Sequence, residues 1–172
     1  MLPLIHIIPA QAKHVKAIEQ VCADSYRTTY KQTHSSAYIE RMIRDYYNAD
    51  LIHSELTPNP AEGWDGWYVA VEQDQVVGAA AGGMISHIEG EVYVLYLDPL
   101  RKREGIGSKL LTTLTQIQKE QGAQKQWVSV FHNNQMAIPF YQAQGFVSQY
   151  EERSYNDNTA ETYITLRCMR RI

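Results

Sequence analysis

The chain has 172 residues, 44% hydrophobic and 20% charged, enough apolar content to bury a core without disulfides or metal, which excludes disordered and disulfide-scaffold classes. Its 16 Lys+Arg against 19 Asp+Glu leave a formal charge of −3, which argues against a nucleic-acid partner but allows a local phosphate site. Cys22 and Cys168 form no CxxC, no apolar run reaches ~20 residues, and Met1 to His6 lack a leader pattern, so one soluble cytoplasmic domain over 1–172 with no membrane partner is expected.

Leu4 to Ile8 reads as a short strand closed by Pro9. From Gln11 to about Thr28, Val15, Ile18, Val21 and Cys22 recur at helical spacing, and a second helix follows Ser35-Ser36 with Ile39, Met42, Ile43, Tyr46 and Tyr47 on its buried side. Prolines and a glycine make Thr57 to Gly63 a loop. Trp67 to Glu72 and Val76 to Met84 flank Gln73-Asp74-Gln75 as a hairpin, and Glu91 to Leu97 forms a further strand. Gly105 to Gln121 is a helix with Gly122 as its stop, Gln126 to Phe131 a strand, and Asn134 to Gln144 a short helix ended by Gly145. Phe146 to Glu152 and Glu161 to Met169 are the last two strands. This order predicts an α+β protein with a mostly antiparallel sheet and one central βαβ crossover.

The segment from Leu95 to Ser108 carries the most chemistry. A strand runs into Pro99, the cationic turn Arg101-Lys102-Arg103 follows, and Gly105 and Gly107 open a helix. Unpaired N–H groups and the positive helix end favour an anion there, and the glycines let a phosphate approach the backbone. A Walker loop is excluded, because Ser108-Lys109-Leu110 follows Gly107 without the GK[ST] spacing. A GxGxxG fingerprint is excluded by Leu110 at its third glycine. The pattern [Q/R]xxGx[G/A] fits Lys102 to Gly107 except at its first residue, and a solvated basic turn is the competing structural reading. The segment Asn134 to Phe146 matches NxxAxxFYxxxGF at every fixed position.

Together the two blocks resemble the GCN5-related N-acetyltransferase (GNAT) superfamily, on consecutive strand-helix units in the order that family uses. The resemblance implies a mixed, mostly antiparallel sheet flanked by helices, with the βαβ unit binding acetyl-CoA as co-substrate between Glu91–Leu97 and Gln126–Phe131. It implies that the backbone of Leu95, Tyr96 and Leu97 pairs with the pantetheine arm, the Leu97 N–H stabilising the oxyanion. The amides of Arg103, Gly105, Ile106, Gly107 and Ser108 would hold the pyrophosphate. Lys102 stands where the family has Gln or Arg and lacks the bidentate fork, while Arg101 or Arg103 would reach another phosphate. Asn134, Ala137, Phe140 and Tyr141 occupy the second block's cofactor positions.

By the same resemblance Tyr141 would be the general acid at the CoA sulfur, and Glu91, at the start of its strand, the base for the amine. Their structural alternatives are a core aromatic and a solvated strand-end carboxylate. Asn134 has an alternative as a helix N-cap. No His/Asp/Cys cluster has metal-ligand spacing, so no metal is expected. The acceptor groups expected from the first helices and the late loop are Tyr26, Tyr30, Tyr38, Tyr46, Tyr47, Glu40, Asp45, Glu55 and the Tyr155-Asn156-Asp157-Asn158 turn. Twelve tyrosines supply apolar faces with hydrogen-bonding ends, suited to an alkylammonium or to plain packing. The layout of Ser25 to Tyr30, Trp67 to Val69 and Glu91 to Leu97 is similar to the bacterial polyamine acetyltransferase branch. It implies a small primary amine acceptor, with the enzyme a monomer or homodimer. The alternatives are a protein N-terminal acetyltransferase and a non-catalytic acyl-CoA-binding module.

Overall fold

The computed structural model describes residues 3–154 and 161–172, so the expected 155–158 acceptor turn lies outside the described residues. Strand β1 (His6–Pro9) leads through a 3-10 turn at Ala12–His14 into helix α1 (Val15–Tyr30). α1 buries Ile18, Cys22 and Tyr26 on successive turns, the face its periodicity predicts. Helix α2 (Ser36–Tyr46) is capped by Ser35, whose Oγ accepts from the Tyr38 N–H at 3.1 Å.

A third helix, α3 (Ala49–Ser54), is not foreshadowed by the sequence, because six residues are too few to show a period. Its start is set by the Asn48 side chain, which accepts from the Leu51 N–H at 2.9 Å, and by the Glu19 carboxylate, which accepts from the Ala49 N–H. The hairpin β2 (Trp67–Glu72) and β3 (Gln75–Met84) turns at Gln73 and Asp74, both at positive φ. Then follow β4 (Glu89–Leu97), α4 (Ile106–Glu120), β5 (Lys125–Phe131), α5 (Ala137–Ala143), β6 (Val147–Arg153) and β7 (Ile164–Arg171). α5 begins three residues later than predicted because Asn134 caps it from outside: its Oδ1 accepts from the Ala137 N–H at 3.0 Å. The last strand starts at Ile164 rather than Glu161.

Among the described residues seven strands form one sheet in the order β1-β2-β3-β4-β5-β7-β6, in which only β4 and β5 run parallel, joined by α4. β3 is built of small residues, Gly78-Ala79-Ala80-Ala81-Gly82-Gly83, so helices seat closely on both faces. Ala79 and Ala81 belong to the core beneath α1, and Val77 and Ala80 to the core beneath α4 with Leu110, Leu111 and Leu114. Ala79, Ala80 and Ala81 alternate with the two-residue period of a strand buried on both sides, and Val77 departs from that phase because it is the extra residue where β3 bulges opposite Ala70 and Val71. No helix among the described residues is long and apolar enough to cross a membrane.

The decisive feature is where β4 and β5 part. They pair from Glu89↔Lys125 to Val92↔Val128 and no further, although both strands continue. The register shows why. Ala81 faces Val94 while Gly82 faces Val92, so Tyr93 is an extra residue that bulges β4 and turns it away. Buried Gln118 of α4 fixes the base of the split, its Nε2 donating to the Glu91 carbonyl at 2.9 Å.

Candidate active site

The split leaves the β5-facing edge of Tyr93 to Leu97 without a strand partner, the geometry an extended ligand chain needs to add itself to a sheet. Leu95 and Leu97 pack toward the α4 core, whereas Val94 and Tyr96 pack toward α1. One strand therefore offers two faces, and the two halves of the site lie on opposite sides of it.

On the α4 side lies the turn from Asp98 to Ser108. Arg103 and Gly105 both adopt the left-handed conformation, with φ of 64° and 79°. Left-handed residues on both sides of Glu104 tighten the turn, and Gly105 holds the helix N-cap position. The N–H groups of Arg103, Gly105, Ile106, Gly107 and Ser108 donate to no protein group among the described residues. Five orphaned amides at a helix start fit a pyrophosphate, so this part of the chain suits acetyl-CoA on its own geometry.

The side chains around the turn divide by role. Of the two arginines expected to reach another phosphate, Arg101 pairs with Glu72 at 2.7 Å and with Glu104 at 2.8 Å, bracing the loop against β2. Lys102 reaches across to α5, its Nζ 3.0 Å from Met136 Sδ, and Ser108 Oγ accepts from Gln144 Nε2 at 3.0 Å. The two sequence blocks therefore meet. Phe140 lies against Gly107, where an added Cβ would stand 3.4 Å from its ring, and Leu97 lies just beyond at 3.8 Å.

Tyr141 sits on the same side, buried, with its ring against Phe140 and Phe146 at centroid distances of 5.1 and 5.4 Å. Burial raises its phenol above the ordinary value, with the neighbouring Tyr30 adding to the rise. A neutral phenol at ordinary pH is the result. Asn134 links the two faces. While its Oδ1 caps α5, its Nδ2 donates to the Tyr30 hydroxyl at 3.2 Å.

On the α1 side opens a cleft of about 450 Å³. Of the expected acceptor residues, Tyr26, Tyr30, Tyr46, Tyr47 and Glu55 line it, as do Tyr93, Tyr96 and Glu91. Three expectations are corrected. Tyr38 is buried and does not line the cleft, its hydroxyl standing 3.4 Å from Ser154 Oγ. Glu40 turns outward to pair with Arg27 at 2.8 Å, and Asp45 pairs with Arg44 at 3.3 Å on the surface. Their positions on the outer face of α2 explain the miss, since sequence places them on the helix but not on its inward side.

Several cleft residues have no role in the sequence reading, among them Trp64, Ser129, Glu152, Ser154, Thr165 and Arg167. Arg167 is the most consequential. Its Nη2 donates to Glu91 Oε1 at 2.8 Å, its Nη1 to Ser129 Oγ at 2.9 Å, and its guanidinium lies over the Trp127 ring at 5.1 Å. The available signal is an arginine two residues after Thr165 and before Met169 on a strand whose neighbours alternate inward. Glu91 Oε2 accepts no hydrogen bond among the described residues. Tyr141 does not line this cleft, so the expected acid and base approach the split from opposite faces of β4.

A sheet parted at a β4 bulge beside a glycine-opened anion loop defines an acyl-CoA-dependent transferase fold. The chain belongs to the Acetyltransferase (GNAT) family, which it matches over residues 22–146. It is therefore a GNAT-type acetyltransferase, and acetyl-CoA is its co-substrate. It is similar to "Spermidine N(1)-acetyltransferase" of Thermoplasma acidophilum, 25% identical over 142 residues that cover 83% of this chain and 88% of that protein. It is also similar to "Uncharacterized N-acetyltransferase YuaI" of Bacillus subtilis, 31% identical over 146 residues, 81% of this chain and 79% of that protein. Among solved structures, the PaiA N-acetyltransferase of Thermoplasma acidophilum in complex with coenzyme A superposes with a TM-score of 0.81 at 22% identity, covering 98% and 99% of the two chains. That likeness establishes the fold.

Proposed function

We propose that the protein is a single cytoplasmic acetyltransferase domain that moves an acetyl group to a primary amine of a small cationic acceptor, with polyamines favoured. The observation that carries this reading is the charge of the cleft. Among the described residues Glu55, Glu91 and Glu152 line it against one cation, Arg167, within walls of tyrosine and tryptophan. Such walls suit the methylene chain and the charged ends of an alkylammonium. The similarity to a spermidine acetyltransferase supports the same class.

The roles follow from the two faces. The unpaired edge at Leu95 to Leu97 takes the pantetheine arm, and the Leu97 N–H faces the thioester oxygen, where developing negative charge is stabilised. The amides from Arg103 to Ser108 hold the pyrophosphate, and Asn134 with Ala137 and Phe140 lines the arm's other side. Glu91 takes the proton of the attacking amine through Oε2, and neutral Tyr141 returns one to the leaving sulfur.

The test is acetyl transfer from acetyl-CoA across spermidine, spermine, amino acids, aminoglycosides and N-terminal peptides. Preference for the polyamines is expected. Acetylation of a peptide N-terminus with spermidine inert would replace the small-amine reading. Tight acetyl-CoA binding without turnover on any amine would leave a binding module.

A further inference from the structure

Glu55 differs from the other carboxylates of the cleft. It closes α3, and two indoles hydrogen-bond to it. Trp64 Nε1 donates to its main-chain carbonyl at 2.8 Å, and Trp67 Nε1 donates to its Oε1 at 3.3 Å. Trp64 in turn meets Trp67 nearly edge-on at 6.1 Å and lies parallel to Tyr93 at 6.2 Å. The result is a carboxylate at the end of a box with aromatic walls.

The cleft offers Glu55 no cation. Arg167 is held by Glu91 at 2.8 Å and lies 4.0 Å from Glu152. Among the described residues no Lys, Arg or His is within ion-pair range of Glu55. Burial raises its carboxyl pKa, and the Trp67 N–H opposes that rise only in part. A half-buried carboxylate with one weak donor is a costly arrangement unless something else completes it.

Position says what. Trp67 faces Ala81 on β3, and Ala81 faces Val94 on β4. Trp67, whose indole holds Glu55, therefore stands roughly two strand spacings, about 10 Å, from the unpaired stretch of β4. That offset suits a second positive charge on the same acceptor rather than the reacting nitrogen.

We propose that Glu55, framed by Trp64 and Trp67, binds the distal ammonium of the acceptor and selects polyvalent amines over monoamines. The proposal rests on the amine-acetyltransferase reading above. The reacting amine is placed by the groups near Glu91, and the distal amine by Glu55 with cation–π contacts to the indoles.

The test compares spermidine with n-butylamine in wild type and Glu55→Gln. Gln keeps an oxygen for the Trp67 N–H and removes only the charge. The ratio of kcat/KM for spermidine over n-butylamine is expected to fall ~10–100-fold, through KM rather than kcat. The melting temperature of the ligand-free variant is expected to equal or exceed that of wild type, because a desolvated charge without a cation has been removed. An unchanged ratio, or equal losses for both amines with a lower melting temperature, overturns the proposal. If wild type acetylates neither amine, the acetyltransferase reading of the acceptor fails separately. Spermidine titration calorimetry on the two proteins then decides Glu55: weaker binding to Glu55→Gln supports it, and equal or absent binding overturns it.

Discussion

Arg167 joins the two strands at the point where they separate: it bonds Glu91 on β4 at 2.8 Å and Ser129 on β5 at 2.9 Å, one residue past the last paired position, Val128. Both members of the ion pair are largely buried, the side chains 12% and 16% exposed. Removing one partner leaves the other charge poorly compensated, so the pair acts as a strut across the split as well as a feature of the acceptor cleft.

Glu91→Gln is therefore expected to have two effects. Stability falls by about 1–3 kcal/mol, because the carboxylate left to Arg167 among the described residues is that of Glu152, 4.0 Å away, and a double-mutant cycle with Arg167→Gln recovers a coupling of similar size. The base role adds a loss of kcat/KM that is largest at low pH, where amine deprotonation is hardest, and smaller at high pH. A loss equal at every pH would leave Glu91 only the strut.

Tyr141→Phe isolates the proposed acid. The hydroxyl makes no hydrogen bond among the described residues, and the ring is held by Phe140 and Phe146, so the variant should melt close to wild type. Acetyl-CoA binding is expected to persist while kcat falls ~10–10⁴-fold, the range for a lost general acid where water can partly substitute. Wild-type kcat in the variant would reduce Tyr141 to a packing residue.

Legibility follows the physical source of each signal. The anion loop is readable because glycines at Gly105 and Gly107 and the full block at Asn134 to Phe146 are local in sequence. So are α1, α2 and α4, whose faces repeat every turn. The bulge at Tyr93 is not readable, since it arises from the register of β4 against Ala81 and Gly82, a property of two strands. Arg167 escapes for the same reason: its meaning comes from Glu91, 76 positions away. Arg101 and Arg103 read as equal candidates for a phosphate in the sequence, because charge in a turn carries no mark of the Glu72 that pairs with Arg101.

His34 predicts an acid-labile fold. Its ring stacks on Tyr163 at 3.9 Å, its Nδ1 meets Thr33 Oγ1 at 2.8 Å, and its buried Nε2 has no partner among the described residues. Burial lowers its pKa to about 4, against a rise from Glu161 and a further lowering from His132. With an unfolded value near 6.5, the unfolded chain binds the proton first as pH falls. The stability from keeping His34 neutral is thus intact above pH ~6.5 and is lost between there and pH ~4, by at most about 3 kcal/mol. His34→Phe should flatten the decline in melting temperature between pH 7 and pH 4.5. An unchanged slope would assign the acid sensitivity elsewhere, His14 being the next candidate, since burial and Lys13 lower its pKa too.

The two glycines of the anion loop are not equivalent, and alanine at each should separate their duties. Gly105 has φ of 79° with nothing within 4 Å of the point where a Cβ would stand, so Gly105→Ala meets no clash but strains the backbone by about 1 kcal/mol. That strain is relieved by rotating the N-cap, which reorients the amides of Gly105 and Ile106. Gly107 is already helical, and an added methyl would touch the Phe140 ring at 3.4 Å and Leu97 at 3.8 Å, ordinary contact distances. Gly107→Ala should therefore be nearly neutral in stability and shift the acetyl-CoA Kd by less than about threefold, while Gly105→Ala should weaken it ~10-fold through misaligned donors. Calorimetric titration of both variants with acetyl-CoA and with free coenzyme A checks this, because a loop defect must weaken the two ligands alike. The opposite order of sensitivities would mean that close packing of Gly107 against Phe140, rather than the left-handed turn at Gly105, sets the pyrophosphate site.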